Sequence, residues 1–527
     1  MSKRFNVTGV CIPKLHYMVN MKDRIDQIIT EYVKKGDYFT INRARQFGKT
    51  TTLYLLEKHL KQQYLVIRLS FEAADELFCS HAIFARGLIR SIRRELKRQE
   101  IDPQLLQQWE QPISDDFPFQ DLSDRITELC QNSHNKIVLM IDEVDKSSDN
   151  QIFLSFLGLL RNKYLDQRQE QDITFHSVIL AGVYDIKNLK QKLHPDAEPK
   201  YNSPWNIAAD FTVDMSFHPQ DIAGMLSSYE EEHHTGMDIH TFSQWIYEYT
   251  DGYPYMVSRI CMLLDEQVAG SSDFPEKADA WTKDGFLAAI RLFLQDPNTL
   301  FDDMFKKIEE YPLLKERLKD ILFCGMHYAF EITSPIISIG VMFGFLKNVN
   351  NSVAIANRIF ETKMYNMFLS EEELTNGIQP LAQDGRSQFF VHGMLQMNLV
   401  MEKFYEYYEE ICQNSNGKFL EHEGRRMFLL YLRPIINGAG NYYIEAQTRD
   451  HTRTDVIVDY RGRRFIIEMK LWHGNAYNRR GEQQLFEYLD YYKEDTGYLL
   501  SFHFNKNKKT GIHEIQLNGK RIVEVVV

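Results

Sequence analysis

Short, wholly apolar runs alternate with helical-period segments through the first two-fifths of the chain. Tyr38 to Ile41, Tyr64 to Ser70, Ile137 to Ile141 and Ser177 to Gly182 each read as a strand, the later ones buried on both faces. Helical stretches separate them: Thr52 to Leu60, His81 to Gln99 and Asn150 to Arg168. This βαβ alternation predicts a parallel, doubly wound sheet. An amphipathic helix is expected from Met21 to Lys34. A polar, lysine-rich loop from Asp185 to Pro204 should lead to a last strand at Phe211 to Met215.

The period then changes twice. His218 to Glu231, Asp238 to Glu248 and Met256 to Gln267 read as helices, interrupted by Thr250-Asp251-Gly252-Tyr253-Pro254. From Leu300, helices lead to an Asn-rich turn, Asn348 to Asn351, between apolar runs at Gly340 to Leu346 and Ser352 to Asn357; this is a hairpin signal. From Asn441 the chain reads as strands: Tyr442 to Ala446, Thr454 to Tyr460 and Arg464 to Lys470, with a turn at Arg461-Gly462-Arg463.

Composition narrows the function classes. A chain of 527 residues with 44% hydrophobic and 25% charged residues has room for two to four ordinary globular domains. Its 61 basic and 73 acidic residues leave a net charge of −12, so a polyanion must be met by a local patch. The six cysteines are scattered, with no CxxC pair and no secretory signal, which predicts free thiols in a reducing, cytoplasmic setting and no zinc site. The most apolar segment, Pro335 to Leu346, falls short of the roughly 18 to 20 residues that span a bilayer, so no membrane partner is expected.

Two stretches carry chemistry. Asn42-Arg43-Ala44-Arg45-Gln46-Phe47-Gly48-Lys49-Thr50-Thr51 lies between a strand and a helix, where a phosphate-binding loop belongs. Arg45, Gln46, Phe47, Gly48, Lys49, Thr50 and Thr51 are the expected nucleotide contacts. Backbone N–H groups and the Lys49 ammonium offer positive potential to a triphosphate, Gly48 permits close approach, and the Thr50 hydroxyl reaches magnesium. Arg43 stands where the GxxxxGK[ST] pattern has its first glycine. Downstream, Ile137 to Ile141 delivers Asp142 and Glu143 at the carboxyl edge of the sheet, where open α/β sheets bind ligands. Asp142 is expected to hold the magnesium through water, and Glu143 to polarise the water that attacks the γ-phosphate of ATP. His16 and Tyr17 suit packing better than contact with a base. Arg161 is a candidate arginine finger or a helix-end surface charge. Arg86, Arg90, Arg93, Arg94 and Lys97 form a basic helix face, read as solvated.

In the carboxyl-terminal segment Asp455 opens one strand, and Glu468 and Lys470 lie on the next, on one face. Two carboxylates can share a magnesium ion while a lysine orients water and stabilises phosphorane-like charge. A helix from near Gly481 supplies Gln484 and Tyr488 one turn apart. Arg461, Arg463, Arg464, Arg479, Arg480 and Lys506 to Lys509 could grip a DNA backbone, and Trp472 and His473 follow the site.

These motifs carry resemblances. Gly252-Tyr253-Pro254 after a helical pair resembles the lid of STAND-like P-loop ATPases, which implies that Pro254 lies near the nucleotide. The spacing from Asp455 to Glu468-Met469-Lys470, with Gln484-xxx-Tyr488, resembles the metal site of the PD-(D/E)XK nuclease superfamily. That likeness implies an upstream acid at Glu421 or Glu423. The whole chain resembles a bacterial family that joins an AAA-ATPase-like domain to such a nuclease domain, in which an arginine at the first loop glycine looks typical. The implied fold class is α/β: a parallel-sheet P-loop NTPase domain over 1–215, a helical lid over 216–295, a winged-helix-like domain over 296–375, a helical linker over 376–420 and a restriction-endonuclease-like α/β domain over 421–527. The implied function is an ATP-controlled, magnesium-dependent DNA endonuclease that can form a homo-oligomer. The alternative is a signalling or assembly ATPase whose last domain binds nucleic acid or a partner without cutting it.

Overall fold

A computed structural model describes residues 3–72, 74–99, 109, 113–114, 116–147, 150–183, 205–323, 326–376, 386–412, 421–436, 440–444, 455–460, 463–471, 482–483, 485–490, 492–503 and 510–527. The chain forms two compact units. The first comprises Met1–Tyr229, Gly252–Ser258 and Ser338–Gly344, the second Glu230–Asp251, Arg259–Ile337 and Phe345–Val527.

The first unit is built on four parallel strands: β1 (Tyr38–Asn42), β2 (Leu65–Ser70), β3 (Ile137–Asp142) and β4 (Ser177–Gly182), in spatial order β1-β4-β3-β2. Every residue of β3 and β4 is buried, as a strand covered on both faces requires. The helix His81–Arg98 lays Phe84, Leu88, Ile92 and Leu96 into this core, and its start is capped by the Ser80 side chain, which accepts from the Ile83 amide. Arg86, Arg90, Arg94 and Lys97 of that helix are exposed, as the solvated-face reading expects. Gln151–Arg168 is capped by Asn150 in the same way.

One expected element is absent. Phe211 to Met215 forms no strand; only Ala209 bridges to Phe39. Side chains satisfy this backbone instead of a ladder. The Tyr32 hydroxyl donates to the Asp210 carbonyl at 3.0 Å and accepts from the Thr212 amide at 3.0 Å. Arg43 donates to the Val213 carbonyl at 2.7 Å, and Arg24 to that of Asp214 at 3.0 Å. Buried backbone groups need partners, but those partners need not be another strand.

In the second unit, the helices Thr299–Glu310, Pro312–Phe323 and Pro335–Met342 precede the hairpin β5 (Leu346–Val349) and β6 (Ser352–Ile355); the last of these helices ends on a segment grouped with the first unit. The apolar run from Gly340 is therefore helical at its start. The Asn350 and Asn351 turn residues have φ of 49° and 64°, the left-handed region that asparagine tolerates. Farther on, β7 (Gly440–Ile444), β8 (Asp455–Tyr460), β9 (Arg463–Leu471), β10 (Thr496–Phe502), β11 (Gly511–Leu517) and β12 (Lys520–Val526) make one mixed sheet in the order β7-β8-β9-β10-β12-β11. Strands β9, β10 and β12 are parallel neighbours, while β7, β8 and β11 pair antiparallel. Helical residues 485–490, between β9 and β10, pack Leu485, Tyr488 and Leu489 on Ile466, Leu499 and Ile522. A Cβ at Gly497 would come within 2.9 Å of Leu489, so glycine sets how closely this helix lies on the sheet.

Candidate functional site

The loop after β1 turns into the helix Lys49–Leu60 at Gly48, whose φ of 80° is a left-handed conformation that favours glycine. Gln46 adopts φ of 57°, strain that a non-glycine residue holds only where its surroundings fix it. Lys49, 8% exposed, curls back under the loop, and its ammonium donates to the carbonyls of Arg43 at 3.0 Å and Ala44 at 2.9 Å. Burial pulls the Lys49 pKa below its ordinary value, against the nearby carboxylates of Asp145, Glu143 and Asp142. Arg43 points out of the loop. Its guanidinium donates to the Asn42 and Val213 carbonyls and lies 5.0 Å from the Phe211 ring centre, so this residue braces the loop from outside.

Asp142 ends β3, nearly buried, and its carboxylate accepts from the Glu143 amide at 3.0 Å. Arg68 on β2 lies 3.7 Å from the other Asp142 oxygen and also donates to the Thr50 carbonyl at 3.4 Å. Glu143 turns sharply, with φ of 57°. Burial, and then the Asp142 charge, raise its pKa, while Lys49 opposes them. The Thr51 hydroxyl accepts from the Cys11 amide at 3.1 Å, which ties the amino-terminal segment to the loop. Tyr17 is fully buried between Phe5 and Tyr229, the packing role expected of it. Arg161 donates to the Asn206 side chain at 3.0 Å.

Two participants were not read from the sequence. Asp145, in a short turn after Glu143, accepts from the Val183 amide at 2.5 Å and is the carboxylate with the largest electrostatic effect on Lys49. Its closeness to Gly182 leaves no room for a Cβ there, which would lie 2.6 Å from the carboxylate. The second is Tyr253. Pro254 opens the helix Pro254–Leu263, but the residue before it reaches the loop: the Tyr253 hydroxyl donates to the Arg45 carbonyl, and its ring meets Phe47 edge-on at 4.8 Å. Gly252 holds this turn against the backbone of Phe217, where a Cβ would lie 2.3 Å from a carbonyl oxygen. The signal for Tyr253 was its place inside the Gly-x-Pro turn.

In the second unit, Asp455 is the direct cross-strand partner of Glu468 in the β8–β9 ladder, so the two positions fall on one face of the sheet. Glu468 is fully buried, and its carboxylate lies 2.9 Å from the Lys470 ammonium. The register continues the row: Leu499 faces Glu468, Glu524 faces Leu499, and Ser501 faces Lys470. Buried Ser501 and Glu524 are polar members of this face whose strands the sequence reading did not reach. Arg464 pairs with buried Asp459 at 3.3 Å. Gln484, Trp472, His473, Arg461, Arg479, Arg480 and Lys506 to Lys509 lie outside the described residues, as do the side chains of Asp455, Glu421 and Glu423. Among the described residues no three His, Cys, Asp or Glu side chains cluster as metal ligands. Magnesium keeps most of its waters and needs only one or two carboxylates, so Thr50 with Asp142, and Glu468 with position 455, are chemically sufficient donor sets. No described helix is long and apolar enough to cross a membrane.

Comparison with solved structures finds the Walker-type ATPase PABY2304 of Pyrococcus abyssi, at 13% identity and TM-score 0.45, over 68% of this chain and 99% of that one. It also finds the Aeropyrum pernix ORC1 protein in complex with DNA, at 10% identity and TM-score 0.32, over 67% and 94% of the two chains. The Aeropyrum pernix ORC2 protein, in its ADPNP–ADP complexes, follows at 11% identity and TM-score 0.34, over 68% and 97%. Comparison with curated proteins gives no match. The AAA-like domain model matches residues 14–296, more than half of the chain, and that stretch contains the Arg43 to Thr51 loop, Asp142, Glu143 and Pro254. The chain therefore belongs to the AAA-like domain family.

Proposed function

We propose that this protein is a magnesium-dependent P-loop ATPase whose carboxyl-terminal sheet carries a second centre that cleaves DNA phosphodiesters under nucleotide control. The observation that carries the first half is Lys49, held under the loop by two carbonyls at the carboxyl edge of the sheet, with Asp142 and Glu143 at the end of β3. In this reading the amides that open the helix Lys49–Leu60 receive phosphate oxygens, and Lys49 supplies a fixed positive charge among them. Arg45, Gln46, Phe47 and Thr51 complete the loop, and Thr50 and Asp142 hold the magnesium. Glu143 orients the attacking water and accepts its proton. When bound, magnesium neutralises charge on the phosphates. Pro254 and its neighbour Tyr253 report occupancy of the loop.

The register of Asp455 against Glu468, with Lys470 beside the latter, supports the second half. Asp455 and Glu468 would hold the metal, Lys470 would orient water and balance charge on the phosphate, and Gln484 would position the strand. The helix-then-hairpin order before Ile355 supports a winged-helix-like domain at 296–375 between lid and nuclease-like domain. One observation favours the second reading, an ATPase whose last domain binds without cutting: Glu468 and Lys470 already pair with each other in a buried place, as a purely structural ion pair does.

The test is purified protein with supercoiled, linear and single-stranded DNA, with and without ATP and magnesium. Lys49→Ala should lose ATP hydrolysis. Glu468→Ala and Lys470→Ala should lose cleavage and keep ATP hydrolysis. A Glu468→Ala protein that nicks DNA like its parent removes the second centre and leaves the ATPase standing; an ATP-dependent oligomer without nicking selects the binding reading.

A further inference from the structure

The second unit contains a cavity of about 370 Å³ that none of the chemistry above uses. Its walls come from the helix Ile239–Thr250, the helix Lys283–Gln295, the start of Arg358–Asn376, strand β9 and the turn at Tyr492 and Lys493. Four lining side chains are cations, Lys283, Arg358, Arg464 and Lys493, against a single acidic one, Glu248. In a chain of net charge −12, such a concave cluster is a local reversal of sign.

The cations are organised. The Arg464 guanidinium lies 4.4 Å from the Tyr492 ring centre, and that of Arg358 lies 5.6 Å from the Tyr249 ring centre. Arg358 also donates to the Tyr492 hydroxyl at 3.4 Å. A guanidinium stacked on an aromatic face is held with its N–H groups in one plane, a geometry that suits a planar or tetrahedral oxyanion. Behind the wall, buried Asp459 bonds to Arg464 and sits within electrostatic reach of Lys283 and Arg358, and Glu494 within reach of Arg464 and Lys283. Neither carboxylate lines the cavity, and Asp459 fixes Arg464 by its direct bond. Aromatic rings also line it: Trp245 and Phe286 are 5.9 Å apart, and Tyr249 meets Phe286 edge-on at 5.3 Å.

We propose that this cavity binds a free nucleotide, its phosphates held by Lys283, Arg358 and Arg464 and its base laid against the Trp245 side. Cations and aromatic rings lining one cavity match a ligand that has both an anionic part and a flat, apolar part. The volume falls at the low end of the roughly 300 to 1,000 Å³ of small-ligand pockets, which suits one nucleotide better than a longer strand. The site is separate from the phosphate loop: all its lining residues belong to the second unit.

Equilibrium dialysis of the full chain with radiolabelled ATP, ADP and AMP, and separately with a single-stranded oligonucleotide, tests this. The parent should retain two equivalents of nucleotide, Lys49→Ala one, and Lys49→Ala with Lys283→Gln and Arg358→Gln less than a tenth of that at the same ligand concentration. Trp245→Ala, which leaves the cations in place, should weaken binding about fivefold and keeps the proposal testable if the charge variant does not fold. Lys49→Ala retention that is unchanged by the cavity substitutions, no second equivalent up to millimolar nucleotide, or binding of the oligonucleotide alone would each overturn it. If Lys49→Ala instead leaves two equivalents and the cavity substitutions remove one, the cavity stands and the phosphate-loop reading falls.

Discussion

The hydroxyl of Tyr253 donates to the carbonyl oxygen of Arg45, joining a turn two hundred residues downstream to the phosphate loop, and the same ring braces Phe47. The contact fixes the backbone whose amides face a nucleotide in the proposed function. A single neutral hydrogen bond contributes about 1 kcal/mol, a factor of about five in affinity. Tyr253→Phe is expected to weaken ATP binding about fivefold, and Tyr253→Ala further through loss of the Phe47 contact. Titration of both variants with a fluorescent ATP analogue reads this; parental affinity in Tyr253→Ala would sink the coupling.

Arg43 gives a less intuitive expectation. Its place in the loop pattern belongs to glycine, yet it has an ordinary negative φ and spends its guanidinium on the Val213 carbonyl and the Phe211 ring. Installing the glycine removes a charged hydrogen bond to a backbone carbonyl, worth about 1.5 to 3 kcal/mol, and adds chain entropy to the unfolded state. Arg43→Gly should therefore lower the melting temperature and leave ATP affinity no better. Tighter ATP binding with unchanged melting would show that the arginine obstructs the loop.

The parts of this architecture legible in the sequence are those that local chemistry dictates. Five apolar residues before Asp142 announce a doubly covered strand, and Gly48-Lys49-Thr50 between an apolar run and a helical one announces the loop-to-helix junction. Asp455 and Glu468 were legible as partners because the intervening turn fixes register, and register fixes face. What stayed hidden depends on long-range packing. Phe211 to Met215 has strand composition, but Tyr32, Arg43 and Arg24 take its backbone groups before a neighbouring strand can. Asp145 acts on Lys49 through an approach across the fold that no spacing in the chain encodes, and the Gly-x-Pro turn around Tyr253 marks the turn but not the hydroxyl's partner.

Lys163, almost wholly buried, donates to Asp172 at 2.5 Å and to Thr127 at 2.7 Å. Burial would raise the Asp172 pKa, but the Lys163 bond, with those from Thr127 and Ile173, outweighs it and leaves the carboxyl below its ordinary value. A carboxylate with a depressed folded pKa contributes stability present above the unfolded value, near 3.8, and lost as pH falls through the lower folded one. Asp172→Asn should remove that acid-side dependence. Asp172→Ala, which strands a buried ammonium, should cost about 3 to 5 kcal/mol at pH 7. Urea unfolding at pH 7 and pH 3 checks both, and an Asp172→Ala loss below about 1 kcal/mol would mean that the pair does not anchor Asp172 to the helix Gln151–Arg168.

Glu143 has a pKa shift of the opposite direction. Burial and Asp142 raise its pKa above the ordinary 4.5. If its carboxylate orients water, ATP hydrolysis rises with pH through a limb above that value and is flat beyond it. Asp145 also raises the Glu143 pKa, so Asp145→Asn should move the limb to lower pH while keeping an acceptor for the Val183 amide. A limb that stays fixed, or moves upward, in Asp145→Asn assigns the titration to another group.

Glu468 and Lys470 separate a working pair from a structural one. Both are buried and 2.9 Å apart, so removing one partner leaves an uncompensated charge in the sheet, at a cost of about 3 to 5 kcal/mol. Lys470→Met alone should destabilise the chain by that amount, whereas Glu468→Gln with Lys470→Met removes both charges and should recover most of it, because a buried ion pair often breaks even against neutral groups of similar volume. Stability and cleavage then part company. The double variant should melt near the parent and yet cut no DNA, since neither a metal-holding carboxylate nor a water-orienting ammonium remains. Were the pair structural only, cleavage would follow stability and return with it. A double variant that both folds and cuts therefore removes Glu468 and Lys470 from the chemistry, and a lone Lys470→Met that melts like the parent removes the ion pair from the account of the fold.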